Sequence, residues 1–211
     1  MSESWHINFY RRELAPTPST VVTPRILTNA RIGKSYWGVT TSRIPSKAPH
    51  RSVVEGIVKE LHNDERVGRG ALFHGPFGSG KTSCGVVCLK SGIVRGGQAS
   101  MLSALEMRAA YDRRIYYLTP EGIQLWDMAC RCQLLLLDDL GSEIGPTVGG
   151  GDTRVAEELI RARYNDQLTT YITTNLSLDQ LSGTYRGIAS ILMDWSRYYK
   201  IEVTGIDWRA S

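Results

Sequence analysis

A glycine-rich segment that ends in a lysine and a threonine has the residue types needed to bind the phosphates of a nucleotide. It matches the pattern G-x-x-x-x-G-K-[ST] in full. In such loops backbone N–H groups surround the phosphates, the lysine reaches the β- and γ-phosphates, and the hydroxyl ligates Mg²⁺. The residues expected to bind nucleotide are Gly75, Pro76, Phe77, Gly78, Ser79, Gly80, Lys81, Thr82 and the following Ser83.

The elements that must position this loop are a strand before it and a helix after it. Residues 71–74 form a short apolar run that ends at the loop, and residues 82–94 contain apolar side chains and no proline. The unpaired N–H groups and the dipole at the start of such a helix favour an anion. The sequence therefore predicts a strand, a phosphate-binding loop and a helix in succession.

Two carboxylates follow a second apolar run. Four leucines at residues 134–137, which predict a central parallel strand buried on both faces, are followed by Asp138 and Asp139. Carboxylates at the end of such a strand lie beside the phosphate loop. We expect Asp138 to hold Mg²⁺ through its water shell and Asp139 to orient or deprotonate the attacking water. The alternative is that both acids begin a solvated loop.

A third strand is predicted at residues 170–174 and is followed by Asn175. If this strand lies between the first two, Asn175 points at the γ-phosphate and can donate a hydrogen bond to the attacking water. The competing interpretation is that Asn175 ends the strand or caps the helix that begins near Leu176.

Five segments, in this order along the chain, resemble the AAA+ ATPases of the DnaC/DnaI helicase-loader and IstB transposition-helper family. They are residues 30–37, 137–143, 163–165, 172–178 and 201–209. The resemblance covers nearly the whole chain, and the double aspartate, the TTNLSL run and the final DWR are its most specific parts.

The resemblance implies an α/β fold, a P-loop NTPase with an AAA+ core. A five-stranded parallel sheet flanked by helices is expected, with strands near residues 71–75, 98–103, 133–138, 169–174 and 199–204 and the spatial order 5-1-4-3-2. Because the sequence ends at Ser211, the C-terminal lid is expected to be small or absent. In the family an arginine reaches into the neighbouring subunit's site, and Arg186 is that residue or lies one position out of register with it. Ile191 stands where a second arginine is expected.

Arg209 resembles the family's second sensor, which contacts phosphate within its own subunit; the alternative is an exposed terminal arginine. Residues 1–29 are expected to be a flexible basic arm with a possible partner-binding helix near residues 7–14, and residues 30–211 the ATPase domain. Residues 1–50 contain seven Lys or Arg and two acids. That charge suits nucleic acid or an acidic partner, or simply a solvated tail.

A stretch between the second and third predicted strands alternates cations with aromatic residues. Proteins that bind single strands combine phosphate-directed charge with aromatic platforms for bases. The alternative is an amphipathic helix whose tyrosines pack and whose arginines are solvated. The residues expected to bind DNA are Arg108, Arg113, Arg114 and Tyr117.

The resemblance implies a Mg²⁺-dependent ATPase, stimulated by DNA and by assembly into a homo-oligomer. As a helicase loader it would bind single-stranded DNA and deliver a replicative hexameric helicase. The first alternative is an IstB-like scaffold that binds DNA with ATP and serves a transposase. A small-molecule P-loop kinase is the second, and Asn175 and Arg209 argue against it. The chain has no charged and apolar leader and no apolar run near 18 residues, so a cytoplasmic protein that does not span a membrane is expected.

Overall fold

A computed structural model describes residues 21–62, 68–144, 151–194 and 197–204. The strands are β1 (Gly70–His74), β2 (Ala99–Ser103), β3 (Leu134–Leu140), β4 (Thr169–Thr174) and β5 (Tyr198–Glu202). The α-helices are α1 (Pro24–Asn29), α2 (Arg51–His62), α3 (Lys81–Val94), α4 (Ala104–Ile115), α5 (Pro120–Arg131), α6 (Gly151–Asn165), α7 (Leu178–Thr184) and α8 (Ala189–Leu192). Short 3-10 helices cover Lys34–Tyr36, Thr41–Arg43 and Arg186–Ile188.

All five strands belong to one parallel sheet with the order β2-β3-β4-β1-β5. This is the order 5-1-4-3-2 implied by the resemblance, so the predicted fold class is confirmed. Strand β4 lies between β1 and β3, as the interpretation of Asn175 requires. The predicted strands are all present, with ends that differ from the prediction by no more than two residues.

Alternating side chains of the strands fill two apolar clusters, one on each face of the sheet. Leu135 and Leu137 pack with residues of α4, α5 and α6, whereas Leu134 and Leu136 pack with residues of α3. Because successive side chains of a strand point to opposite faces, four consecutive buried leucines require cover on both sides. The leucine run thus places β3 inside the sheet, with helices above and below it.

The segment before β1 packs against α3. Leu27 of α1, Ile44, and Val54 and Ile57 of α2 are buried in the same cluster as the apolar side chains of α3. The sequence places residues 24–29 in the arm, whereas the structure shows them as α1 with Leu27 buried, so the packed part of the chain begins before residue 30. The helix predicted near residues 7–14 lies outside the described residues.

Arg163 of α6 is fully buried and fixes the start of β4 against the end of α5. Its Nη1 donates to the carbonyl oxygens of Ala129 (2.8 Å) and Cys132 (2.9 Å). Its Nη2 and Nε donate to the Thr169 carbonyl (2.7 Å) and the Thr170 hydroxyl (2.9 Å). Burial lowers the pKa of the guanidinium, and these acceptors compensate for lost hydration. Among the described residues, no helix is both long and apolar enough to cross a membrane.

Replacing Arg163 with methionine leaves buried carbonyl groups of Ala129, Cys132 and Thr169 without donors. We expect a loss of about 3 kcal/mol in the free energy of unfolding, because breaking one side of a buried charged network strands its partners. Urea unfolding followed by circular dichroism measures this. Arg154→Met, on the exposed side of the same helix, is the matched control and should change stability little. Equal stabilities of the two variants would show that the buried hydrogen bonds of Arg163 do not stabilise the fold.

Candidate nucleotide-binding site

The loop between β1 and α3 has a backbone that other residues could not easily adopt. Gly75 and Gly80 have φ angles of 142° and 96°, which side chains disfavour. A Cβ atom at Gly75 would lie 2.4 Å from the carbonyl oxygen of Val203, so the loop could not sit this close to β5. The Ser79 hydroxyl donates to the Pro76 carbonyl at 2.9 Å and closes the loop.

Lys81 begins α3, and its ammonium group is held inside the loop. The residue is 7% exposed, and Nζ donates to the carbonyl oxygens of Gly75 at 2.9 Å and Pro76 at 2.6 Å. A buried ammonium close to the start of a helix is a place where phosphate oxygens are stabilised by charge and by N–H groups. The predicted role of Lys81 is consistent with this position.

Strand β3 has an irregularity at the two aspartates. Leu137 pairs with Ile172 of β4, but the next pair joins Leu140 to Thr174, so β3 has one residue more than β4 over this step. Asp139 has a φ angle of 59°, in the left-handed region. In a regular strand adjacent side chains point to opposite faces. The bulge and the left-handed residue turn the chain so that both carboxylates line the same cleft.

Thr173 of β4 connects the two aspartates. Its hydroxyl donates to Asp138 Oδ1 at 2.6 Å and accepts a hydrogen bond from the Asp139 backbone N–H at 2.8 Å. The Thr82 hydroxyl donates to the same Asp138 oxygen at 2.9 Å. Asp138 and Thr82, the two predicted metal ligands, are therefore in direct contact, and Thr173 holds the carboxylate between the strands.

Asp139 is held in place by Asn175. Asn175 Nδ2 donates to Asp139 Oδ1 at 2.5 Å. Asn175 lies just before Ser177, and it is Ser177 that caps α7 by accepting from the Gln180 N–H at 3.2 Å. The capping interpretation of Asn175 is therefore wrong, because the cap falls on Ser177 and the asparagine side chain turns to the carboxylate instead.

Asp138 is half-buried, and burial raises the pKa of its carboxyl group, although hydrogen bonds from Thr173 and Thr82 oppose this rise. A carboxylate in such surroundings gains most from a nearby cation. The described residues contain no group of three or more His, Cys, Asp or Glu side chains that could hold a metal ion. Mg²⁺ is commonly bound by one or two protein oxygens together with phosphates, so Thr82 and Asp138 fit a nucleotide-bound Mg²⁺.

These residues line one cleft of about 800 Å³. Its far wall comes from the segment before β1, which the sequence did not identify as part of the site. A nucleoside triphosphate fits a cleft of this size, since ligand sites span roughly 300 to 1,000 Å³. The wall residues that sequence reasoning missed are Ser35, Tyr36, Val39, Arg43, Ile44, Pro45 and His50.

Comparison with known proteins gives a consistent answer about the fold. No protein-family model matches this chain, and no curated protein matches it. Among solved structures, the DnaC helicase loader superposes with a TM-score of 0.68 at 22% identity, over 82% of this chain and all of that chain. DnaI superposes with a TM-score of 0.64 at 19% identity, over 83% of this chain and 93% of that chain.

The replication initiator DnaA bound to AMPPCP and single-stranded DNA superposes with a TM-score of 0.64 at 19% identity. This similarity covers 80% of this chain and 50% of DnaA. The chain has an AAA+ fold. Its neighbours in structure are helicase loaders and a replication initiator, which agrees with the sequence resemblance, and at these identities the similarity concerns the fold alone.

The four residues expected to bind DNA differ in their surroundings. Arg108 pairs with Asp112 at 3.1 Å within α4, and Arg114 lies 3.8 Å from Glu158 with its guanidinium 5.5 Å from the centre of the Trp126 ring. Arg113 is exposed, and Tyr117, after α4, is 73% exposed. Two of the arginines thus have partners within the same chain, and Arg113 and Tyr117 face solvent.

Arg186 is exposed at the start of its 3-10 helix and is not among the residues that line the cleft. Its Nε donates to the Gly183 carbonyl at 3.1 Å. The neighbouring Gly187 is held on both sides, because its N–H donates to Glu157 at 3.1 Å and its carbonyl accepts from Arg161. Ile191, at the expected second arginine, is buried. Arg209 and the predicted small lid fall on residues 205–211, outside the described residues.

Sequence reasoning also missed Thr173 and the pair formed by Glu143 and Tyr185. Tyr185 is buried and its hydroxyl donates to Glu143, whose other oxygen accepts from the Gly141 N–H at 2.8 Å. Burial and the adjacent carboxylate raise the pKa of Tyr185. Thr173 could have been found from its position two residues before Asn175, but no sequence signal links Glu143 to Tyr185.

Replacing Thr173 with valine removes both hydrogen bonds that join the aspartates while keeping the shape of the side chain. We expect roughly a tenfold loss in the rate of ATP turnover, or about 1.4 kcal/mol in the barrier, with little change in ATP affinity. Steady-state ATPase assays and calorimetric titration of ATP separate the two effects. Thr173→Ser retains the hydroxyl and should behave like the unmodified protein. Full ATP turnover by Thr173→Val would show that these two hydrogen bonds are not needed for hydrolysis.

Proposed function

We propose that this protein is an ATP-dependent DNA replication factor of the helicase-loader type. In this proposal it hydrolyses ATP, binds single-stranded DNA, forms a homo-oligomer in the cytoplasm and delivers a replicative hexameric helicase. One observation carries the proposal. Lys81, Asp138 and Asp139 converge on one cleft, inside a fold that superposes on the DnaC helicase loader over 82% of the chain.

The residues of the cleft would have different roles in ATP hydrolysis. Lys81 would neutralise charge on the β- and γ-phosphates, while the N–H groups of the loop bind phosphate oxygens. Thr82 and Asp138 would hold Mg²⁺, which places further positive charge beside the phosphates when bound. Asp139 would orient the attacking water and accept its proton, and Asn175 fixes that carboxylate in place.

A DNA-binding surface is proposed at the tip that joins α4 to α5. Tyr116 and Tyr117 are 72% and 73% exposed, and the exposed Arg113 precedes them. Exposed aromatic rings can stack on bases while a nearby cation contacts phosphate. Arg108 and Arg114 have acidic partners in the same domain, so they contribute less free charge than the sequence pattern suggested.

An assembly is proposed because the cleft receives few cations from its own chain. Among the described residues that line it, the cations are Lys81 and Arg43. Arg186 is exposed on a segment that Glu157 and Arg161 hold at Gly187. An exposed arginine on a fixed segment suits insertion into a neighbouring subunit's site, where it would stabilise charge on the γ-phosphate.

The loader function predicts that ATP turnover responds to both DNA and helicase. We expect single-stranded DNA and a replicative helicase together to raise the ATPase rate and to form a stable joint complex, measured by light scattering. Arg113→Ala combined with Tyr117→Ala should reduce single-strand affinity and lessen its salt dependence. Lys59→Ala, an exposed charge on α2, is the control. DNA-stimulated filaments that ignore helicase would favour the transposition-helper alternative instead.

The assembly proposal predicts complementation between two inactive variants. Arg186→Ala should bind ATP normally but hydrolyse it at least about tenfold more slowly, and Asp139→Asn should also bind without turnover. In a mixture, Asp139→Asn subunits supply Arg186 to neighbours that retain Asp139, so activity should return. Arg131→Ala, an exposed arginine at the end of α5, serves as the control. A mixture as inactive as its components would argue against an arginine supplied by a neighbour.

A further inference from the structure

Arg186, the arginine proposed to enter a neighbouring subunit's site, lies between two residues that the fold holds in place. Gly187, which follows it, is bonded to Glu157 and Arg161 of α6. Tyr185, which precedes it, is fully buried directly after α7. The Arg186 side chain is exposed, but both of its neighbours in the chain are fixed.

The Tyr185 side chain reaches from the end of α7 to the end of β3. Its hydroxyl donates to one carboxylate oxygen of Glu143, and the other oxygen accepts from the Gly141 N–H at 2.8 Å. Glu143 is itself 6% exposed. It lies in the turn after β3, in which the Ser142 N–H donates to the Asp139 carbonyl at 3.0 Å. One buried hydrogen bond therefore joins the end of α7 to the turn that begins at Asp139.

The start of α7 is attached to the same part of β3. Asn175, shortly before α7, donates to Asp139 Oδ1 at 2.5 Å. The Thr174 hydroxyl donates to the Leu140 carbonyl at 2.6 Å and accepts from the Leu176 N–H at 3.1 Å. Helix α7 is only seven residues long. Because the chain is bonded to the end of β3 both before and after this short helix, the position of α7 relative to the cleft is fixed.

The pair formed by Tyr185 and Glu143 is a costly way to fill this part of the core. A buried carboxylate loses its hydration, and apolar side chains of similar volume would fill the space without that loss. Tyr185 belongs to the apolar cluster that contains Leu181 and Ile188, so apolar contact already holds this segment against the sheet. The hydrogen bond adds direction, because it restricts both the distance and the angle between the two groups.

We propose that the hydrogen bond between Tyr185 and Glu143 positions Arg186 for the neighbouring subunit's site. This inference rests on the proposed role of Arg186 in a neighbour. Arg186 Nε donates to the Gly183 carbonyl of α7 at 3.1 Å, so the direction of the guanidinium follows the end of that helix. An arginine stabilises charge on the γ-phosphate only when its N–H groups reach the oxygens, and a displacement of about 1 Å can cost roughly a hundredfold in rate. Tyr185 is therefore a positioning residue that acts through Arg186.

The test is Tyr185→Phe, which keeps the ring in the core and removes only the hydroxyl that donates to Glu143. ATP affinity, measured by calorimetric titration, should be unchanged, because Tyr185 is not among the described residues that line the cleft. Steady-state ATP turnover should fall about tenfold, since a displaced Arg186 stabilises the transition state less. Turnover equal to that of the unmodified protein would overturn the proposal.

Mixtures of variants show which subunit's site the Tyr185 hydroxyl serves. Tyr185→Phe subunits retain Asp139, and Asp139→Asn subunits present a correctly placed Arg186. A mixture of the two should hydrolyse ATP faster than the sum of its components measured separately. Tyr185→Phe mixed with Arg186→Ala should show no such gain, because neither subunit supplies a well-placed arginine. A gain with Arg186→Ala and none with Asp139→Asn would mean that Tyr185 acts on its own subunit's site, and would overturn the proposal.

Tyr164→Phe is the matched control for the loss of a bond between a tyrosine and a carboxylate. The Tyr164 hydroxyl, on α6, donates to Asp194 Oδ2 at 2.9 Å, and neither residue is among the described ones that line the cleft. Thermal unfolding should show a small decrease in melting temperature for both tyrosine variants, whereas ATP turnover should fall only in Tyr185→Phe. Equal losses of turnover would mean that general destabilisation is the cause, and would overturn the proposal.

Glu143→Gln tests the hydrogen bond separately from the charge. The amide can accept from the Gly141 N–H and donate to the Tyr185 hydroxyl, so both contacts can be kept. We expect a smaller loss of ATP turnover than in Tyr185→Phe. A loss at least as large would overturn the proposal, because turnover would then depend on the charge of Glu143 and not on its bond to Tyr185.

Arg186→Ala distinguishes this inference from the proposed function. If Arg186→Ala hydrolyses ATP as fast as the unmodified protein, or if its mixture with Asp139→Asn shows no gain, the proposed arginine from a neighbour is wrong and its positioning is wrong with it. If that mixture gains activity while Tyr185→Phe alone is fully active, only the role of Tyr185 is wrong.

Discussion

One extra residue in β3, between Leu137 and Leu140, determines how the cleft is built. A parallel sheet brings the ends of β1, β3 and β4 to one edge, but regular strands would point Asp138 and Asp139 to opposite faces. The bulge overrides this alternation, and the Thr173 hydroxyl holds the altered backbone by bonding to both aspartates. Conformations such as that of Asp139 persist where surrounding contacts fix them, and they are common at functional sites.

The parts of the site that sequence predicts are those with local patterns. The phosphate loop has a fixed spacing, and the four leucines before Asp138 specify a strand buried on both faces. The strand order came from the resemblance, since adjacency in a sheet has no local signal. For the same reason the wall around Ile44 and His50 was not predicted: it is built from turns without periodicity, and its position depends on how α2 packs on α3.

The surface arginines show a second limit of sequence reasoning. Arg108, Arg113 and Arg114 look equivalent in the sequence, yet two of them lie beside a carboxylate in the folded chain, Arg108 beside Asp112 and Arg114 beside Glu158. The partner of Arg114 comes from α6, more than 40 residues away, and only the packing of α4 against α6 brings them together. Composition therefore overstated the free positive charge at this surface. The exposure of Tyr117, in contrast, depends only on where α4 ends, which the nearby sequence can predict.

Two buried side chains that contain nitrogen, Arg163 and His50, differ in their hydrogen bonding. Every nitrogen of the Arg163 guanidinium donates to a carbonyl or hydroxyl of its own chain, so its burial is explained by the architecture alone. His50 Nδ1 has no such partner among the described residues, and the residue is buried beside the cleft. The carboxylates differ in a similar way: both oxygens of Glu143 accept hydrogen bonds, from Tyr185 and from Gly141, whereas the bonds that Asp138 accepts from Thr173 and Thr82 both reach Oδ1. Arg163 and Glu143, whose bonds are complete within the chain, hold the cleft in shape, and the expected Mg²⁺ ligands Thr82 and Asp138 are in direct contact at its centre.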